Sequence, residues 1–127
     1  GEWWDAVGFV DARAKADREA GRNPDAELDV GAVFFHDVAD DRRAAIESIE
    51  KPPDAEEAFT EAAHFDAWPR VPIRVLIGRD ERFFPPELQR RVALERLPCG
   101  TDIVEVPGGH MAALAHPDAV AAAILAG

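Results

Sequence analysis

Only two stretches of this chain read as β-strands, and both lie in its second half. VPIRVLIG (71–78) is a β-branched run bounded by Pro72 and Gly78, which predicts a strand ending at Ile77. TDIVEVPGG (101–109) predicts the other. Between them PPELQRRVALERL reads as a helix opened by prolines, where the missing N–H costs least. HPDAVAAAILAG reads as a closing helix, with Pro117 at its start and Gly127 beyond its end. Strand, helix, strand, helix with short connections means parallel strands and a right-handed crossover. Ile73, Val75, Leu76 and Ile77 are nearly continuous, as in a strand covered on both faces. Two parallel strands do not make a stable sheet alone. Nothing in residues 1–70 supplies a third, so the expected fold class is α/β with an incomplete parallel sheet.

Residues 1–70 read as helices and turns. Trp3, Val7, Val10 and Ala14 recur at three- and four-residue spacings, one face of a single helix. That stripe fades at Asp17, which predicts a solvated last turn before Ala20. GRNPD then ends the helix, Gly21 suiting a C-terminal cap and Pro24 unable to continue it. AVFFHDV is a short apolar run that periodicity does not assign. DDRRAAIESIE predicts a helix with Ile46 and Ile49 on one side. PPDAEEAFTEAAHF predicts another, with Asp54 as N-cap and acids in the first turn. Acidic residues crowd into residues 1–70, whereas 71–127 is close to neutral. The change falls at WPRVP, around Pro69 and Pro72, and divides the chain into a helical region 1–70 and a strand-bearing region 71–127.

The totals exclude several partners. A net charge of −11, from 25 acids against 14 bases, argues against a phosphate-tracking nucleic-acid binder and an anionic membrane surface. The apolar runs fall far short of the roughly 18–20 residues that span a bilayer. One cysteine allows no internal disulfide, which fits a reducing compartment. No signal peptide precedes Gly1, so the expectation is a soluble cytoplasmic protein.

In a parallel sheet, ligands bind at the carboxyl ends of the strands. The loops there are GRDERFFP and PGGH, so Asp80, Glu81 and His110 share one edge. A carboxylate beside an imidazole holds one tautomer, orients the ring and stabilises the imidazolium formed when the base takes a proton. Gly108 and Gly109 permit the tight, left-handed turn that would swing the ring outward. The blander alternatives are a loop histidine capping the final helical segment, and solvated acids paired with Arg79 or Arg82. His36–Asp37 is a lone step, and zinc needs three or four convergent ligands, so a structural role comes first and pocket lining second. His116, before Pro117, reads as surface. Trp3, Trp4, Phe34, Phe35, Phe59, Phe65 and Trp68 could floor an apolar pocket, although core packing accounts for most of them. Phe83 and Phe84 could fix the acid loop or face the pocket.

VLIGRDERFFP followed by EVPGGHMAALAHPDAVAAAIL resembles the end of an α/β-hydrolase: strand, Gly-x-x-acid, helix, strand, Gly-His, closing helix. The resemblance covers residues 71–127, and residues 1–70 resemble the helical cap that such enzymes insert before their last two strands. GEWWDAVG, FFHDV and GRDERFFPPELQRR look like a bacterial branch of small-ester hydrolases, akin to the plant methyl-esterase and hydroxynitrile-lyase group. The resemblance implies His110 as general base. Its acid stands three residues after the strand-ending glycine, which favours Glu81 and keeps Asp80 as a rival. It also implies a small ester-like substrate, contacted by Trp4, Phe35, His36, Phe84 and Met111, with no cofactor and no metal.

The chain departs from that pattern in lacking the nucleophile elbow Gly-x-Ser-x-Gly and the oxyanion loop. Ser48, the only serine, lies in IESIE with no glycine to make the strained turn. Cys99 precedes the second strand, hence at the edge opposite His110, and Thr60 and Thr101 have no better claim. The nucleophile is therefore expected outside this sequence, and the chain alone is expected to lack triad-type esterase activity. An alternative class is a non-catalytic interaction module that completes its sheet with a partner chain or a second copy. Hydroxynitrile-lyase chemistry would use the same residues.

Overall fold

The computed structural model describes residues 2–51, 62 and 64–126. Most of the helix expected over PPDAEEAFTEAAHF, with Asp54, Phe59 and Thr60, lies outside the described residues.

The first expected helix is two helices. Helix α1 (Glu2–Ala6) gives way to α2 (Phe9–Glu19) at Gly8, which stands in the left-handed region at φ 64 and ψ 37. Only a glycine takes that conformation without a Cβ penalty. Gly8 N donates to Asp5 O, closing α1, and Gly8 O accepts from Ala12 N, opening α2. The break scatters the apolar stripe: Val7 is buried, whereas Val10 is 64% exposed. Asp17 is buried rather than solvated, because Arg22 Nε donates to it at 2.7 Å and Arg13 Nε lies 3.6 Å away. The unassigned run begins as α3 (Val30–Phe34), where Asp29 Oδ1 accepts from Ala32 N and so caps the helix. Helix α4 (Asp40–Glu47) follows.

Strands β1 (Arg74–Gly78) and β2 (Asp102–Val106) pair in parallel, Arg74 opposite Asp102 and Gly78 opposite Val106. β1 therefore runs one residue past Ile77. Helix α5 (Pro86–Arg96), opened by its prolines, joins the strands and packs on β1. After β2 come α6 (Ala112–Ala115) and α7 (Pro117–Leu125), the latter packed on β2. Arg74 ties three elements together: Nε donates to Asp102 Oδ2 at 2.7 Å, and Nη1 to Ala123 O at 2.7 Å. A cation at the C-terminal end of α7 also suits the helix dipole.

Among the described residues β1 and β2 form a two-stranded sheet, so each has one unpaired edge. The fold is mixed α/β with an incomplete sheet. Among the described residues the buried apolar side chains are Val7, Val38, Ile77, Leu88, Ala93 and Val106. An apolar groove of about 640 Å³ runs beside β1 and α5, lined by Trp3, Trp68, Val75, Phe84 and Leu88 among others. Residues 1–70 are fastened to 71–127 by long-range bonds: Arg91 Nη2 to Val7 O, Arg42 Nη1 to Leu114 O, and Trp68 Nε1 to Arg96 O. Among the described residues no helix is long and apolar enough to cross a membrane.

Candidate functional site

β1 and β2 end side by side, so their following loops share an edge. Backbone bonds from Arg79 N to Val106 O and from Asp80 N to Gly108 O, each 2.9 Å, stitch those loops together. Glu81 N donates to Gly78 O at 3.2 Å, which turns the chain back over the strand end. This places Glu81 Oε2 at 2.8 Å from His110 Nδ1. The other carboxylate oxygen, Oε1, accepts from Phe83 N at 2.7 Å, and the Glu81 side chain is only 7% exposed. Oε1 is taken by a backbone N–H, and in the tautomer that carries its hydrogen on Nδ1 the ring donates to Oε2. His110 Nε2 is then the basic nitrogen. It has no hydrogen-bond partner among the described residues, on a ring that is 29% exposed. An imidazole held in this way can accept a proton through Nε2 while the carboxylate stabilises the resulting charge.

Of the two rival acids, Glu81 is the one bonded to His110. Asp80 turns aside: its Oδ2 accepts from Gly108 N at 3.1 Å and lies 3.9 Å from Arg79 Nε. It fastens the turn instead of orienting the ring.

The face of His110 is aromatic. Phe34 lies edge-on with its centroid 4.5 Å from the imidazole, and Phe83 and Phe84 follow at 5.8 and 6.1 Å. Trp4 stacks on Phe84 at 5.6 Å with the planes 4° apart, and Phe9 bridges Phe83 and Phe84. Such walls lower the local dielectric, which strengthens the Glu81–His110 interaction and favours an apolar ligand. Of the five residues expected to contact substrate, Phe84 borders His110 and Trp4 lies one ring further out. Phe35 sits elsewhere, under the Arg43 guanidinium at 5.2 Å. A hydrogen bond from Arg43 to Glu47 raises the pKa of that guanidinium. His36 bonds Asp80 O at 2.9 Å, and Met111 is the N-cap of α6, its carbonyl accepting from Leu114 N and Ala115 N. Phe34 is the contact that sequence reading did not separate from Phe35. The pair straddles the end of α3, Phe35 being its C-cap, and AVFFHDV has no periodicity to tell one ring from the other.

Two of the candidate nucleophiles are engaged elsewhere, Cys99 is a free thiol away from His110, and Thr60 lies outside the described residues. Ser48 ends α4 with its Oγ donating to Ala45 O, Thr101 Oγ1 donates to Pro98 O, and Cys99 is exposed in the loop before β2. His110 has no hydroxyl or thiol partner among the described residues. Nor do these residues place three His, Cys, Asp or Glu side chains to hold a metal ion. No family model matches the chain, and neither curated proteins nor solved structures yield a significant match to it.

Proposed function

We propose that this chain is the cap and C-terminal portion of an α/β-hydrolase, with His110 and Glu81 serving a Ser-His-acid triad that hydrolyses a small carboxylic ester. The serine and the oxyanion donors come from outside the given sequence. What supports this is one contact: Glu81 Oε2 against His110 Nδ1 at 2.8 Å, at the carboxyl edge of parallel strands, with Nε2 unpartnered among the described residues. In the complete site Nε2 takes the proton of the serine hydroxyl as its oxygen attacks the ester carbonyl. The same proton passes to the departing alkoxide, leaving an acyl-serine and an alcohol. Water, deprotonated by the same nitrogen, then attacks the acyl-serine, and the proton passes to the departing serine oxygen as the carboxylic acid is released. Phe34, Phe83 and Phe84 offer the apolar wall for the acyl or alcohol group, and the single exposed Cys99 suits a reducing cytoplasm.

The test is labelling of the complete gene product with a fluorophosphonate, which reacts with a serine activated by its base. The expected result is a labelled serine outside the 127 residues, with labelling abolished by His110→Ala. The 127-residue chain alone should give neither label nor acyl-enzyme burst. Undiminished labelling in His110→Ala, a burst from the isolated chain, or a gene product no longer than this chain each removes the proposal. Cyanide release from a cyanohydrin, without ester turnover, would move the same residues to hydroxynitrile-lyase chemistry.

The unpaired strand edges and the exposure of Trp68 and Val71 favour a second reading, an interaction module that completes its sheet with another chain. Sedimentation distinguishes it: an obligate dimer or heteromer supports it, and a stable monomer removes self-association.

A further inference from the structure

The turn that carries His110 is gripped from outside its own loop. Asp37 Oδ2 accepts from Gly109 N at 2.8 Å, across 72 positions of sequence. His36, the neighbouring residue, bonds Asp80 O at 2.9 Å, and its ring fills the space where a Gly109 side chain would begin. His116 presses on Gly108 in the same manner: a Cβ there would lie 2.8 Å from the ring's Cδ2. The His116 Nε2 is 3.8 Å from Asp37 Oδ2. The two glycines are thus required for different reasons. Gly108 needs its left-handed φ of 110 and room for His116, whereas Gly109 needs room for His36.

Asp80, held through its carbonyl by His36, also accepts from Gly108 N and directly precedes Glu81. One dipeptide, His36–Asp37, therefore fastens both the loop of the acid and the loop of the base. Asp37 is an expensive choice for packing alone. Its side chain is 20% exposed, and Oδ1 is buried without a hydrogen-bond partner among the described residues. A buried carboxylate oxygen left unbonded lowers stability, and such groups persist where the rest of the side chain is used. Here the other oxygen holds the backbone N–H next to His110.

We propose that His36 and Asp37 are positioning residues, setting the backbone at 80–81 and 109–110 so that His110 Nδ1 meets Glu81 Oε2. This rests on reading His110 and Glu81 as the base and its acid. Neither His36 nor Asp37 bonds the His110 ring or the Glu81 carboxylate; both act through main chain. The cap region thereby sets the orientation of the base.

The readout is the Nδ1-bound proton of His110, observed by NMR on the complete gene product and assigned by its loss in His110→Gln. Asp37→Ala and His36→Ala should each speed exchange of that proton by at least about tenfold. Asp37→Asn keeps an oxygen for Gly109 N, and His36→Gln keeps a donor for Asp80 O. Both should return exchange to within about threefold of the parent. Arg74→Ala, which loosens the other end of the sheet, lowers stability without touching the clamp and should leave the proton signal in place. Parent-like exchange in folded Asp37→Ala and His36→Ala overturns the proposal, as does equal loss of the signal in Arg74→Ala. Where Asp37→Ala does not fold, Asp37→Leu fills its space without an acceptor and decides the matter alongside His36→Ala. Exchange is read without any ester, so an unmoved signal removes the clamp and leaves the esterase reading standing. A lost signal with no serine labelled in the complete gene product does the reverse.

Discussion

Gly78→Ala is the substitution that most directly tests how the two loops are held. Gly78 ends β1, and a Cβ built there would lie 2.7 Å from both Gly108 O and Gly109 O. Both atoms are backbone, so no side chain can swing away. Ordinary contact begins near 3.4 Å, so the Pro-Gly-Gly-His turn must retreat by about 0.7 Å. Such a retreat stretches the 2.9 Å bond from Asp80 N to Gly108 O and the 3.1 Å bond from Gly108 N to Asp80 Oδ2 beyond useful range. Losing two bonds worth about 1 kcal/mol each, and overpacking the contact at about 1–3 kcal/mol, should together cost about 3–5 kcal/mol. Urea unfolding followed by tryptophan fluorescence measures this. Gly21→Ala is the control, because Gly21 has φ 73 but nothing within 4 Å, leaving a backbone penalty of about 1 kcal/mol. The His110–Glu81 bond should fail in Gly78→Ala and survive in Gly21→Ala. A loss below about 0.5 kcal/mol, or one smaller than that of Gly21→Ala, refutes the reasoning that close approach, not chain flexibility, requires glycine here.

The other predictions concern individual side chains. Glu81→Gln removes the carboxylate acceptor, so the His110 proton should move to Nε2. Nitrogen-15 shifts read the tautomer, and hydrolysis by the complete gene product should fall about 10⁴-fold, as expected when an orienting carboxylate becomes an amide. Asp80→Asn retains an oxygen for Gly108 N and should keep the Nδ1 proton signal; loss of that signal would make Asp80 the orienting acid instead. Phe34→Ala uncovers the nearest wall of the imidazole, 4.5 Å away, and should raise KM for apolar esters more than it lowers kcat. Equal KM values for parent and variant would detach Phe34 from substrate binding. Arg74→Ala breaks the Asp102 pair and frees the Ala123 carbonyl, and should cost about 1–2 kcal/mol by urea unfolding.

Local pattern carried much of the fold. The β-branched runs, the prolines at the start of α5 and the order of elements in 71–127 are properties of neighbouring residues, and they are legible without a structure. The joint edge of Asp80, Glu81 and His110 also follows from local facts, since parallel strands end on the same side. Where local pattern misled, a single backbone angle or a distant partner intervened. The stripe Trp3, Val7, Val10, Ala14 gave no hint that Gly8 would break it, because a left-handed glycine leaves apolar spacing untouched. Asp17 looked solvated because its guanidinium partners, Arg13 and Arg22, were not yet placed in space.

The site divides in the same way. Sequence by itself determined that one acid and His110 share a strand-end edge and that no serine stands in an elbow. Only the tertiary structure decided that Glu81, rather than Asp80, meets Nδ1, that Phe34 rather than Phe35 packs on the ring, and that His36, Asp37 and His116 close around Gly108 and Gly109. The physical reason is range. Periodicity and turn chemistry act over a few residues, but direction at a turn, the fit of a ring against a glycine and the bond from Asp37 to Gly109 depend on chain segments brought together across the fold.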